Sequence, residues 1–116
     1  MLTPGPRSRV FLSVEPVDMR AGVDRLAGAV RRLGMDPLDG HLYLFLSRSR
    51  QIGNAIAFDG SGWWVLSKRL ELGSFGLPPI PEGARQVHLE PHLLAALLHG
   101  LDPKAARRRW YNRKQS

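Results

Sequence analysis

Two adjacent tryptophans, Trp63 and Trp64, stand a few residues before Lys68 and Arg69. Aromatic faces stack on nucleobases and cations hold phosphates, so this combination is suited to nucleic acid, or to an aromatic-anchored protein contact. A second such combination closes the sequence. "KAARRRWYNRKQS" carries Lys104, Arg107, Arg108, Arg109, Arg113 and Lys114, interleaved with Trp110 and Tyr111 and free of acids. A third set of bases, Arg48 and Arg50, sits in "SRSR". The formal net charge of +7 comes mostly from the closing segment: residues 1–103 hold 11 of the 17 Lys and Arg against all 10 Asp and Glu. The expectation is a nearly neutral body, residues 1–103, followed by a basic tail, residues 104–116, that meets phosphates. The competing reading is a solvated end that only aids solubility.

Catalytic constellations are harder to find. Without cysteine there is no thiolate nucleophile, disulfide or thiolate metal site. His88 and His92 have a metal-like interval only if one helix holds both, yet Pro91 between them reads as a helix start. His41 and His99 read as structural. "DGSG" lacks the spacing and the following Lys-Ser/Thr of a phosphate-binding loop, and no nucleophile elbow is present. A metal-dependent nuclease would need converging acids, for which Asp18 and Asp59 are the candidates. Both have simpler uses, Asp18 as a helix cap and Asp59 as an acceptor in a turn. The sequence therefore predicts no cofactor, no metal and no small-molecule substrate.

The elements that would position these residues follow from periodicity. "RVFLSVEPV" alternates as a strand ended by Pro16. Val23, Leu26, Ala27, Val30 and Leu33 recur at helical spacing, predicting a helix over 19–33 stopped by Gly34, with Arg25, Arg31 and Arg32 outside. "DPLDG" is a turn, and "HLYLFL", apolar on both alternating faces, predicts a central strand. "NAIAF", a glycine-rich "DGSG" turn and Trp63–Leu70 make a hairpin, whose alternation sends Trp63 and Trp64 to opposite faces. The proline-rich 76–84 segment reads as a surface linker, "RQVHLE" as an edge strand, and Pro91 as the start of a helix with a leucine stripe ending before Pro103. The fold class is α+β: a mainly antiparallel sheet of four or five strands with two helices packed on it. No apolar run reaches membrane-spanning length and the start lacks a secretory pattern, so a cytoplasmic protein without membrane partners is expected.

Several quoted segments together resemble a known family. "VDMRAGVDRLAGAV", "GHLYLFLSRSR" and "FDGSGWWVLSKRLELGSF" are similar to the small accessory protein, product of the second reading frame, in the sixty-sixth family of bacterial insertion sequences. The resemblance covers roughly residues 8–102. Its most distinctive residues are Asp18, Met19, Arg20 and Gly22; Asp59, Gly60 and Gly62; and Lys68, Arg69, Leu70 and Glu71 followed by Gly73 and Phe75. It implies a nonenzymatic role in DNA transposition beside a separate transposase with an Asp-Asp-Glu site, contacting the DNA of the element ends, that transposase, or both. Arg48, Arg50, Lys68, Arg69 and the tail bases are then the candidate phosphate contacts, and Trp63, Trp64 and Trp110 the aromatic ones. This copy departs from the family pattern at Gln51, Ile52, Asn54, Leu72, Ser74 and Leu77, several of which are basic in relatives. The alternatives are a pure protein-interaction module of the transposition complex and, third, the small nuclease.

Overall fold

The computed structural model describes residues 8–98. Its elements are β1 (Val10–Ser13), α1 (Val23–Arg32), β2 (Leu42–Leu46), β3 (Ile52–Phe58), β4 (Trp63–Arg69), β5 (Gln86–His88) and α2 (Pro91–Leu98). The strands form one sheet in the order β4-β3-β2-β1-β5. Only the β1–β2 pair, joined through α1, is parallel; the other three pairings are antiparallel. The α+β class, the five strands and the central position of β2 agree with the sequence reading.

Alternation along each strand divides the core in two. Phe11, Tyr43, Phe45 and Ile56 face α1, which contributes Leu26, Ala27 and Val30. Leu12, Leu44, Leu46 and Ala55 face the other way, where Leu97 of α2, Leu89 and Phe75 cover them. A central strand buried on both faces must be apolar at consecutive positions, which is why "LYLFL" shows no alternation. At the entrance to β2, the Tyr43 hydroxyl donates to Asp39 Oδ2 at 2.6 Å and to the Asp36 carbonyl at 3.2 Å, pinning the 36–40 turn to the strand. Burial first, then the hydrogen bond to Asp39, raises the Tyr43 phenol well above its ordinary range.

Three features differ from expectation for identifiable reasons. Helix α1 starts at Val23, not at residue 19, and its N-cap is Gly22 in extended conformation with no side-chain cap. Asp18 does not cap it, because its carboxylate is taken by the Arg20 backbone N–H and guanidinium two residues on. β3 begins two residues before "NAIAF", at Ile52, since the backbone ladder continues through Gly53 to the β2–β3 turn. The 76–84 linker does not lie wholly on the surface: Gly76 and Pro78 are buried and Leu77 packs on the α2-side core. The second helix is described as far as Leu98; its expected end near Asp102, and His99, lie outside the described residues.

Candidate nucleic-acid interface

Strand direction decides which of the candidate residues meet. β1 and β2 run in parallel, β3 returns, and β4 runs again with β2. The ends of β1, β2 and β4 and the start of β3 therefore share one end of the sheet. That end carries Arg20 after β1, Arg48 and Arg50 in the β2–β3 turn, and Lys68 and Arg69 at the end of β4. The register is fixed by the Ile52–Arg69 pairing and by a hydrogen bond from the Leu70 N–H to the Gln51 carbonyl at 2.8 Å.

The β2–β3 turn is built by its serines. Arg50 N–H donates to the Ser47 carbonyl, Ser47 N–H to the Ile52 carbonyl, and the Ser47 hydroxyl accepts from Ile52 N–H. To close it, Arg50 adopts φ of 60°, the one non-glycine residue in the left-handed region among those described. Its carbonyl accepts from Phe75 N–H at 2.7 Å, so the basic turn is tied to the segment after β4. Here two parts of the sequence pattern that lie far apart, "SRSR" and the Phe75 segment, become one construction. Arg48 also borders an open cleft of about 560 Å³ that Asp18 and Met19 line as well. Arg20 itself is paired with Asp18 at 2.8 Å, and that side-chain hydrogen bond, followed by the one from the Arg20 backbone, lowers the Asp18 carboxyl to about 2.

Asp59 lies at the other end of the sheet, in the β3–β4 turn. It accepts from the N–H groups of Ser61 and Gly62, from the Ser61 hydroxyl, and from the indole Nε1–H of Trp64 at 2.8 Å. These bonds, the Ser61 backbone one foremost, hold its carboxyl well below the usual carboxylate range. Gly60, at φ of 97°, supplies the left-handed residue that lets the loop wrap around the carboxylate. Asp18 and Asp59 thus occupy opposite ends of the sheet and cannot share a metal. Among the described residues, no group of three His, Cys, Asp or Glu could hold one.

The Asp59 hydrogen bonds make stability depend on pH. A carboxylate whose folded pKa is depressed contributes stability above its unfolded value of about 4, and the contribution disappears as pH falls through the folded value. Asp59→Asn keeps one acceptor oxygen but loses the charge. It should lower the melting temperature at pH about 7, and the gap from the wild type should close as both are acidified below about pH 4. A gap that stays constant with pH would assign the effect to something other than the charge.

The tryptophans are separated as alternation requires. Trp63 packs half-buried against the α1-side core and stacks at a tilt on Phe58, with ring centroids 5.2 Å apart. Trp64 lies on the opposite face, exposed, with its indole N–H held by Asp59. Both sit at the turn end of β4. Lys68 shares the face of Trp64 but stands four residues further, roughly 13 Å at about 3.3 Å per residue, so the structure does not bring the tryptophans to the basic end. Lys104, Arg107, Arg108, Arg109, Trp110, Arg113 and Lys114 lie outside the described residues.

Of the family-pattern residues, Leu70 and Phe75 join the α2-side core. Gly73 stands in a left-handed conformation at φ of 75°, two residues after the exposed Glu71. The pattern thus marks turns and core seams as much as an exposed site. Residues 8–108 match the family model described as IS66 Orf2 like protein. The chain belongs to the IS66 Orf2-like family. Two proteins of Sinorhizobium fredii (strain NBRC 101917 / NGR234) are similar to it. Uncharacterized protein y4hO is 36% identical over 111 residues, 95% of each chain. Uncharacterized protein y4jC is 34% identical over 103 residues, 88% of this chain and 86% of that one. No solved structure matches. Family membership makes this IS66 Orf2-like protein a transposition-associated accessory protein. Among its described residues no helix is long and apolar enough to cross a membrane.

Proposed function

We propose that this IS66 Orf2-like protein is a nonenzymatic accessory factor of transposition that grips the phosphate backbone of element DNA with the basic end of its sheet, alongside a separate transposase. The observation that carries the reading is Arg50. A left-handed turn position is comfortable for glycine or asparagine and strained for a long side chain, and such strain persists where the side chain has a task. Arg50 makes no side-chain hydrogen bond or ion pair among those described, so its backbone contacts with Ser47 and Phe75 do not explain why the residue is arginine. Arg48, exposed two residues before it, and Lys68 and Arg69, on opposite faces of the adjoining strand end, add positive charge to the same end of the sheet. These groups meet phosphates, which position a protein without reading sequence. Arg20 adds less, being neutralised by Asp18.

The test separates backbone from side chain. Arg50→Gly relieves the turn, so thermal stability should stay within a few degrees of wild type. The variant should nonetheless bind element-end DNA more weakly, with a salt dependence shallower by about 0.9 in log–log slope because one phosphate is no longer neutralised. Binding and slope equal to wild type in a stable Arg50→Gly protein would remove the basic turn from the interface. Copurification with the transposase that survives nuclease treatment, without any DNA binding by the isolated protein, would select the protein-interaction alternative.

A further inference from the structure

The outer edge of β4 is built to accept another strand. β4 is the terminal strand of the sheet and spans seven residues, Trp63–Arg69, and among the described residues no strand pairs with its far side. Two hydrogen bonds fix which backbone groups face outward: Asp59 N–H to the Gly62 carbonyl before the strand, and Leu70 N–H to the Gln51 carbonyl after it. Antiparallel pairs alternate between bonded and non-bonded positions. Trp64, Leu66 and Lys68 therefore turn their N–H and C=O groups toward β3. Those of Trp63, Val65, Ser67 and Arg69 point away from the sheet. Proteins usually blunt such an edge with proline, a bulge or charged side chains, and β4 carries charge only at its last two residues, Lys68 and Arg69. Here the middle of the strand is apolar and uncovered: Trp64 is 38% exposed, Val65 50% and Leu66 49%.

We infer that the partner on this edge is β4 of a second copy of the chain, paired antiparallel about a two-fold axis through Leu66. In that register the outward N–H and C=O groups of Val65 meet those of Ser67 of the partner subunit, and the groups of Trp63 meet those of Arg69 of the partner subunit. Leu66 lies against the partner subunit's Leu66. The charge pattern selects this arrangement. β4 is aromatic at its start and basic at its end, so antiparallel pairing sets the Arg69 guanidinium across from the Trp63 ring of the partner subunit. Parallel pairing would stack like charges on like. The result is an isologous interface that joins two five-stranded sheets into one. It rests on the edge backbone and takes up the Arg69 guanidinium, but it needs no part of the Arg48 and Arg50 turn that carries the DNA reading.

The test uses the full chain and its oligomeric state. Sedimentation at tens of micromolar should show a dimer. Leu66→Lys places two like charges on the axis and should give a folded monomer with an unchanged circular dichroism spectrum, shifting dissociation to at least tenfold higher concentration. The chain has no cysteine of its own, and position 66 forms a non-hydrogen-bonded pair with itself, where facing Cα atoms lie about 4.5 Å apart. Leu66→Cys should therefore oxidise to a covalent dimer much faster than Val65→Cys. A monomeric wild type would overturn the proposal, whether the edge is bare, covered by residues 99–116 or reserved for another protein. So would a dimer that survives Leu66→Lys and fails to cross-link through Leu66→Cys.

Discussion

Phe75→Ala is expected to cost about 3–5 kcal/mol of folding stability, as for other fully buried phenylalanines truncated to alanine. The residue sits in no regular element, yet it is among the most deeply buried side chains in the protein, 1% exposed. It completes the α2-side core with Leu12, Leu44, Leu46 and Leu97. The ring lies over Gly53 of β3, where an added Cβ would be 3.4 Å from both the ring and Leu46 Cδ2. The absence of a side chain at Gly53 is what allows the ring to approach the sheet so closely. Alanine at position 75 leaves a cavity that the flanking strands, held by their ladders, cannot close. With total stabilities of about 5–15 kcal/mol for single domains, such a loss is a large share of the whole. Urea unfolding followed by Trp63 and Trp64 fluorescence measures it, and Phe75→Leu should recover a substantial part. A loss below about 1 kcal/mol would mean that the ring is not part of the core. Alanine keeps the N–H that holds the Arg50 carbonyl, but without the ring the segment is no longer seated on the core, so the same variant should weaken DNA binding more than its remaining folded fraction explains.

Removing residues 104–116 is expected to leave a folded domain and to reduce DNA affinity on the order of 10²-fold at low salt. The segment carries six of the 17 lysines and arginines and no acid, so the remaining 11 bases stand against 10 acids. Each phosphate neutralised releases condensed counterions and contributes about 0.9 to the salt slope. If the segment neutralises about four phosphates, its removal should flatten the slope by about 3–4, which fluorescence anisotropy across about 50–200 mM salt resolves. The contrast with Arg50→Gly is quantitative: the turn variant removes a single cation, whereas the truncation removes most of the electrostatic attraction. Unchanged affinity and slope after truncation would reduce the segment to a solubilising role.

How much of this was legible depends on whether the cause is local. β2 announces its central position because a strand covered on both faces has to be apolar throughout. The β3–β4 hairpin is visible in "DGSG", since glycine and aspartate are what its backbone angles and orphan donors require. Opposed tryptophans follow from alternation alone. Phe75 could not be read as core, because an isolated aromatic among glycines and prolines has no period. The Arg50 conformation leaves no mark either, as "SRSR" contains no glycine where one is favoured. Asp18 misled because a good capping residue is also a good partner for Arg20, and the nearer arginine won. The gathering of Arg48, Arg50, Lys68 and Arg69 at one end depends on the strand order, which is a tertiary fact.

The placement of β1 between β2 and β5 has a consequence for biosynthesis. Val10–Ser13 precedes both of its pairing partners in the chain, and the one on its second side, Gln86–His88, is much the later of the two. Until Gln86–His88 is in place, the unpaired N–H and C=O groups of β1 are a template for pairing with another chain, and the finished fold removes that edge by placing β1 inside the sheet.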